Sequence, residues 1–228
     1  HSAKPLIHPA VQNLRHVVDG WIPFTILDCG GLSMKWCKDL ISSAQDTADA
    51  EVSFERLIEM AAEVPEGSDG LIFYPYMLGE RRRENTSARG GYFGITLNHT
   101  AAHFARAVME GVALAMGRDV ELFRSLGLNV DRVLCVGGGS RNQLWNQIKA
   151  DVVGAPLELS DEPEAGIKGA ALLGAAGVGL IGDPGEIARD RRTASKTVSP
   201  RPESAACYRA ALEEFTRVYD HMLGYWQS

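Results

Sequence analysis

The stretch Asp131–Asp151 constrains the fold of this chain more than any other. It reads DRVLCVGGGSRNQLWNQIKAD, and its apolar run Arg132–Val136 leads directly into Gly137, Gly138 and Gly139. A short apolar run with two valines is typical of a buried strand. Glycine lacks a Cβ atom, so several in succession permit a sharp turn with positive φ angles. The stretch therefore predicts a buried strand that ends in a glycine turn.

A helix is predicted to follow this turn. Ser140 should cap it, with Leu144, Ile148 and Val152 on the buried face at four-residue spacing. Because the turn has no Cβ atoms, a flat ring or a phosphate could reach van der Waals distance of its backbone at a helix N-terminus. The run is neither G-x-G-x-x-G nor a P-loop with Lys-Ser/Thr, so by itself it leaves two interpretations open, a ligand site and a plain tight turn.

The composition disfavours several classes of site and partner. The 228 residues carry a formal net charge of −6, which argues against nucleic acid and anionic membranes as partners. No apolar run reaches the roughly 20 residues of a membrane span, and no signal peptide is recognisable. The cysteines, which lack C-x-x-C spacing, are Cys29, Cys37, Cys135 and Cys207. We therefore expect no disulfide framework, no metal site built by the protein alone, and a cytoplasmic location.

The rest of the chain alternates strands with helices. Asn13–Val18 and Trp21–Leu27 flank an Asp-Gly pair and predict a hairpin. Further short strands are predicted at Leu71–Tyr74 and Pro156–Leu159. Further helices are predicted, in chain order, at Leu32–Ser43, Phe54–Glu63, Leu97–Leu126, Glu164–Leu180 and Glu203–Trp226. This order favours an α/β fold with a mixed sheet flanked by helices, and ligands in such sheets bind outside the carboxyl ends of the strands.

Several local details are predicted with these elements. Ser53 should cap the second helix, and Thr96 or Asn98 should cap the long third one. The polar stretch Asp183–Pro202 is predicted to be a loop. The first helix is expected to place four apolar side chains on one side: Leu32, Trp36, Leu40 and Ile41.

Two groups of polar side chains have more than one interpretation. The stretch Tyr76–Gly91, which contains the charged run Glu80–Glu84 and Arg89, is too charged for a core. It is either a solvated loop or a loop at a cleft that meets anionic groups or another domain. His99 and His103 lie four residues apart on one helix face, a spacing that suits a metal. No third ligand accompanies them, which favours hydrogen bonding near the helix start.

Four ordered segments together resemble the C-terminal domain of the FGGY carbohydrate kinases, most closely the xylulokinase branch. The first, Phe73–Arg81, reads FYPYMLGER and is similar to a family loop that ends in Gly-Glu-Arg. The second, Ala88–Ala115, is similar to a family signature in spacing and residue class, through Gly94, His103, Ala107 and Glu110. The others are Val136–Asp151, similar to the adenosine motif, and Glu164–Ala171, similar to the small-residue helix that follows it. Four motifs in order are far more specific than any one of them.

The resemblance implies a fold and a ligand. The fold would be an actin-like (RNase H-like) α/β ATPase domain, and the cofactors would be ATP and Mg2+. Gly138 and Gly139 would contact the adenosine through their backbone, and Asn142 would form a hydrogen bond with it. Gly137 and Ser140 would shape the turn. An adenine ring needs a flat wall without Cβ atoms and an amide able to donate and accept, so the chemistry of these residues suits that role.

The resemblance also implies what the chain does not contain. We expect residues 1–228 to form the C-terminal, ATP-binding domain, with ATP or ADP as its own ligand. The family's catalytic aspartate and sugar-binding residues belong to an N-terminal domain that would bind the ketose or polyol. Asp28 is therefore interpreted as a structural turn residue, and no catalytic residue is assigned. The residues Arg82–Asn85 replace a proline and an aspartate usual in the family loop, which leaves the sugar open, as the resemblance also leaves a homodimer open.

Two other function classes remain at this stage. The first is a non-catalytic nucleotide-binding or regulatory module that keeps the actin-like fold. The second is a dinucleotide-dependent oxidoreductase built on the glycine turn. The second lacks the acidic residue expected about twenty residues further on, at the end of a second strand, because Asp151 falls inside a predicted helix.

Overall fold

The computed structural model describes residues 1–17, 19–44, 51–81, 87–160, 164–190 and 194–226. Within these ranges the helices are α1 Gly30–Ser43, α2 Phe54–Ala62, α3 Ala101–Ser125, α4 Gln143–Val153, α5 Ala165–Gly177, α6 Pro184–Asp190 and α7 Ala205–Trp226. The strands are β1 Gln12–Arg15, β2 Trp21–Phe24, β3 Ile72–Tyr74, β4 Gly91–Phe93, β5 Val133–Cys135, β6 Leu157–Ser160 and β7 Ala194–Val198. Val18 of the predicted hairpin and residues 82–86 of the predicted charged loop lie outside the described residues.

The strands form three small sheets. β1 and β2 pair in an antiparallel hairpin, as predicted, and β3 pairs with β4. In the third sheet β5 runs parallel to β6, and β6 runs antiparallel to β7. The predicted α/β plan with a mixed sheet flanked by helices is confirmed.

The prediction of a loop over Asp183–Pro202 was wrong, because α6 and β7 lie inside that stretch. β7 is an edge strand that pairs with β6, with Val198 opposite Leu157 and Thr197 opposite Glu158. The ladder supplies its backbone hydrogen bonds, so a polar edge strand needs little apolar patterning of its own. Pattern-based prediction therefore missed it.

α3 is the central helix of the fold. It packs against α1, α2, α4, α7 and β3, and its side chains from Ala105 to Ala115 are all buried. The main apolar core forms around it and includes Phe73, Met109, Ile148 and Phe215. β3 crosses α3 at Gly111, where a Cβ atom would lie only 2.1 Å from the Phe73 carbonyl oxygen.

The apolar side of α1 is not the side that the helix buries. Leu32, Trp36 and Leu40 are 53%, 37% and 47% exposed, whereas Met34 and Cys37 are buried. The buried side of α1 carries Ser33, Met34, Cys37 and Lys38, and Met34 and Cys37 belong to the main apolar core. Which side of a helix is buried depends on the elements that pack against it and not on its apolar area alone.

The helix caps follow the sequence only in part. Ser53 caps α2 as predicted, and its side chain accepts a hydrogen bond from the Arg56 amide at 3.1 Å. α3 is capped by Thr100 rather than by Thr96 or Asn98, and His103 completes a capping box with Thr100. The preference for a hydrogen-bonding role of His103 over a metal-binding one agrees with this geometry.

Glu110 is a buried carboxylate on α3, and both of its oxygens accept hydrogen bonds. It is 3% exposed. Its Oε1 accepts from Arg106 Nε at 2.8 Å, from the Gly67 amide at 3.0 Å and from the Tyr208 hydroxyl at 3.0 Å. Its Oε2 accepts from Ser68 Oγ at 2.7 Å. A buried charge is tolerated because it is paired and hydrogen-bonded in this way.

These bonds support a strained turn that precedes β3. Ser68 and Asp69 both have φ of 50° although neither is glycine. His103 Nε2 lies 3.1 Å from Asp69 Oδ2, and a Cβ atom on Gly94 would lie 2.8 Å from the Gly70 carbonyl oxygen. Three residues that carry the second resemblance, Gly94, His103 and Glu110, therefore hold one turn in place.

A second buried ion pair corrects the expectation for the charged loop. Glu80 is 4% exposed, because Arg118 NH2 donates to its Oε1 at 2.8 Å and the Tyr219 hydroxyl donates to its Oε2. The loop therefore begins inside the core. The next residue, Arg81, is exposed and donates from Nε to Asp28 Oδ2 at 2.8 Å.

Candidate functional site

The predicted glycine turn lies at the carboxyl end of β5, as expected for a ligand site in a sheet of this kind. β5 itself is shorter and less buried than predicted. Val133 and Cys135 pack towards α4 and β6, whereas Leu134 and Val136 are 44% and 49% exposed. Among the described strands β5 pairs only with β6, so one side of this edge strand remains uncovered.

Gly137 needs to be glycine for conformational reasons. Its φ of 81° and ψ of −174° lie in a region that is essentially restricted to glycine. A single 3-10 turn, Gly138–Ser140, follows. The Gly137 carbonyl oxygen accepts from both the Ser140 amide, at 3.1 Å, and Ser140 Oγ, at 2.7 Å. Ser140 thus closes the turn.

The outer surface of the turn is bare. Cβ atoms placed on Gly137 or Gly138 would have no described atom within 4 Å, and one on Gly139 would meet only Lys149 Nζ at 3.7 Å. Gly138 and Gly139 are exposed. We call these residues, Gly137–Gly139, the glycine shelf, because they present a stretch of backbone without side chains.

The predicted helix after the turn is α4, but Ser140 does not cap it. Asn142 is the N-cap, and its Oδ1 accepts from the Trp145 amide at 2.9 Å. The turn needs Ser140 for its own closure, so the cap moves two residues along the chain. Within the described part of the chain, Asn142 Nδ2 has no hydrogen-bond partner, so this amide offers a donor at the edge of the shelf.

Sequence reasoning missed two residues of α4 that also hold the turn. Asn146 Nδ2 donates to the Ser140 carbonyl oxygen at 2.6 Å, and Lys149 Nζ donates to the Gly139 carbonyl oxygen at 2.8 Å. Helical side chains lean towards the helix N-terminus, so residues at 142, 146 and 149 share one face that points back at the turn. That spacing was visible in the sequence and could have indicated both residues.

The local environment alters the titration of two groups beside the shelf. Burial lowers the pKa of Lys149, an effect that the nearby Cys135 opposes. Burial raises the pKa of Cys135, and the Lys149 ammonium opposes that rise. The thiol at the end of β5 therefore remains protonated near neutral pH and acts as a packing residue.

A wide groove lies at the opposite end of α4 from the shelf. Its volume is about 800 Å³, and it is bounded by α3, α7 and the C-terminal end of α4. Its lining mixes Arg124, Arg209 and Arg217 with Glu121, Glu213 and Asp220. The groove thus carries charges of both signs, and Arg124 pairs there with Glu121 at 2.7 Å, whereas the shelf consists of bare backbone.

Two further observations concern the whole described part of the chain. None of its helices is long and apolar enough to cross a membrane. No three of its His, Cys, Asp and Glu side chains are grouped so that they could hold a metal ion.

Comparison with known proteins bears on both the fold and the motifs. The sequence profile of the C-terminal domain of the FGGY family of carbohydrate kinases matches residues 2–178. The xylulose kinase of Bacillus subtilis (strain 168) is 28% identical over 204 residues, which are 89% of this chain and 40% of that protein. The L-fuculokinase of Escherichia coli O157:H7 is 38% identical over 138 residues, 60% of this chain and 28% of that protein.

Solved structures agree with these sequence matches. The crystal structure of xylulose kinase from Rhodospirillum rubrum superposes with a TM-score of 0.79 at 28% identity, over 97% of this chain and 44% of that one. This chain thus spans less than half the length of these proteins. The predicted actin-like (RNase H-like) fold and the resemblance to the xylulokinase branch are confirmed. The chain belongs to the FGGY family of carbohydrate kinases, and residues 2–178 correspond to the C-terminal domain of that family.

Proposed function

We propose that this chain is the ATP-binding domain of a sugar kinase, which transfers the γ-phosphoryl group of ATP to a sugar hydroxyl. The observation that carries the proposal is the glycine shelf: a stretch of bare backbone at the carboxyl end of β5, with no described atom where the Cβ atoms of Gly137 and Gly138 would stand. A side chain at Gly138 would fill that space. The shelf therefore fits a flat base such as adenine.

The roles of the turn residues follow from their bonds. Gly138 and Gly139 would contact the adenosine through their backbone. Asn142 would donate from Nδ2, because its Oδ1 already serves as the cap of α4. Gly137 and Ser140 keep the shape of the turn through the bonds that close it. The amide of Asn142 thus acts mainly as a donor, where the sequence alone suggested a group that both donates and accepts.

Phosphoryl transfer requires more than this surface. It depends on the position of the acceptor hydroxyl, on neutralisation of the phosphate charges and on a carboxylate that takes the hydroxyl proton. We infer that the carboxylate and the sugar site belong to the part of the relatives that this chain does not match, and that closure of both parts excludes water. The matched relatives include a xylulose kinase and an L-fuculokinase, so the acceptor is proposed only as a ketose or polyol.

Mg2+ would enter with the nucleotide. The described residues offer no group of three or more His, Cys, Asp or Glu side chains as a ligand set, so the protein part of the site does not fit an independent magnesium centre. The phosphates of ATP supply oxygen ligands of the kind that Mg2+ prefers.

The proposal is tested by Gly138→Val, with ADP binding measured by calorimetry. The branched side chain should occupy the shelf and weaken ADP binding at least about tenfold, the equivalent of one lost contact of about 1.4 kcal/mol. Thermal stability should stay close to that of the parent, because the new Cβ atom meets no described atom within 4 Å.

Gly224→Val is the matched control, since Gly224 is an exposed α7 glycine with equally open surroundings. The control should bind ADP as the parent does. A folded Gly138→Val variant with unchanged ADP affinity would contradict the proposal.

We also expect the 228-residue chain to phosphorylate no xylulose, and turnover above a no-protein control would contradict the assignment of catalysis to the other part.

A further inference from the structure

Lys149 places a cation beside the shelf. Its ammonium lies 4.5 Å from the centroid of the Trp145 ring and donates to the Gly139 carbonyl oxygen at 2.8 Å. Within the described ranges it forms no ion pair with a carboxylate. Its half-buried position lowers its pKa, since partial burial disfavours the charged form. The chain thus keeps a partly desolvated positive charge that no described acidic residue neutralises.

The ammonium borders the surface on which a ligand would lie. Lys149 Nζ stands 3.7 Å from the point where a Cβ atom of Gly139 would be, next to the exposed backbone of Gly138 and Gly139. An ammonium group has three protons to donate. One goes to the Gly139 carbonyl, which leaves two donors for a group that rests on the shelf.

Asn146 holds the turn with one half of its side-chain amide and leaves the other half buried without a partner in the described structure. It is 1% exposed, and its Oδ1 is buried without a hydrogen-bond partner in the described structure. An apolar side chain of similar size would avoid the cost of that unpaired acceptor. The bond that Asn146 does make, from Nδ2 to the Ser140 carbonyl, fixes the end of the shelf.

We propose that Lys149 is a nucleoside-contacting residue of this chain, and that Asn146 is a positioning residue that holds the shelf in register with it. Lys149 donates a hydrogen bond to an acceptor on the base or the ribose of the adenosine that lies on Gly138 and Gly139. The inference rests on the proposed function and extends it. It assigns side chains of α4, one and two helical turns after Asn142, to the nucleotide site.

The first test is Lys149→Met, which keeps the length of the side chain and its contact with Trp145 but removes the charge and the donors. Calorimetry should give about tenfold weaker binding of both ADP and adenosine, the loss typical of one hydrogen bond from a charged donor. Lys149→Arg keeps charge and donors and should recover most of the affinity. Lys35→Met is the control, because Lys35 is an exposed α1 residue paired with Asp39 at 2.6 Å.

A second measurement needs no variant. Lysine acetylation of the parent chain, followed by mass spectrometry, should show that ADP slows modification of Lys149 severalfold and leaves Lys35 unaffected. Unchanged acetylation of Lys149 at saturating ADP would overturn the contact.

The outcomes separate the two proposals. A parent chain that binds neither ADP nor adenosine contradicts the proposed function and the inference together. A parent that binds both, beside a Lys149→Met variant that binds both equally well, overturns the inference alone. A loss confined to ADP would place the ammonium at the phosphates and overturn the nucleoside contact.

Asn146→Leu tests the positioning role. It removes the unpaired acceptor, so the melting temperature should be equal to or higher than that of the parent. ADP affinity should nevertheless fall severalfold, because the Ser140 carbonyl is no longer held. A purely structural residue would change both quantities together, and unchanged affinity would overturn the role of Asn146.

Discussion

Two regions of this chain use glycine for opposite reasons. At Gly111, in the middle of α3, the space of the missing Cβ atom is filled by the backbone of β3, with the Phe73 carbonyl oxygen 2.1 Å away. At Gly138 the corresponding space is open. The first glycine allows a helix and a strand to touch, and the second leaves a surface uncovered. Glycine content alone therefore says nothing about whether a site is structural or available to a ligand.

The surroundings of the two regions differ in the same way. Around α3, even the charged side chains of Arg106 and Glu110 are buried and paired. Around the shelf, Leu134 and Val136 are about half exposed. Apolar area that stays in water contributes no hydrophobic stabilisation. The packing around α3 thus contributes most of the stability of the chain, and the shelf lies outside that core.

The comparison predicts its largest effect for Gly111→Ala. The new methyl group would overlap backbone that cannot rotate away, and we expect a loss of about 4 kcal/mol or more in the free energy of unfolding, or no folded protein. The control is Gly174→Ala in α5, where a Cβ atom meets nothing within 4 Å. The control should be stabilised by about 0.5–1 kcal/mol, because alanine favours a helix. Equal melting temperatures for the two variants would contradict the claim that the backbone of β3 closes the space at Gly111.

A smaller effect is predicted for Glu110→Gln. It removes the charge that compensates the buried Arg106, and breaking a buried pair from one side typically costs about 3–5 kcal/mol. Glu121→Gln on the same helix is the matched control, since Glu121 pairs with Arg124 at 2.7 Å but is 57% exposed. Its loss should stay below about 1 kcal/mol. Urea denaturation measures the free energy of unfolding of both variants. A similar loss in the two would show that the buried Glu110 pair stabilises the protein no more than an exposed pair does.

The smallest effect is predicted within the shelf itself. Gly137→Ala forces a side chain into a backbone region reserved for glycine, and we expect a loss of about 1–3 kcal/mol. Gly138→Ala should change the free energy of unfolding by no more than about 0.5 kcal/mol, the range of ordinary surface substitutions. Chemical denaturation of the two variants measures the difference between their free energies of unfolding. A loss at Gly138 as large as that at Gly137 would show that the open space is needed for folding.

The accuracy of the sequence predictions depended on the range of the interaction involved. The turn after β5 and the cap at Ser53 are local, and the sequence indicated them correctly. Which side of α1 is buried, and whether β7 forms, depends on the element that packs or pairs alongside. The apolar side of α1 is not the buried one, and β7 was predicted as part of a loop. Glu80 was assigned to a charged loop, because its partners Arg118 and Tyr219 lie 38 and 139 residues away.

The sequence by itself determined the family, the order of most elements and the place of the glycine turn, since these follow from motifs and from short-range periodicity. The tertiary structure decided that Asn142 rather than Ser140 caps α4, that Asn146 and Lys149 reach back to the turn, and that Gly111 is closed while Gly138 is open. Those outcomes depend on which atoms meet in space. The effect of an added Cβ atom or of a charge on stability depends on the atoms around it. Only the fold brings those atoms together.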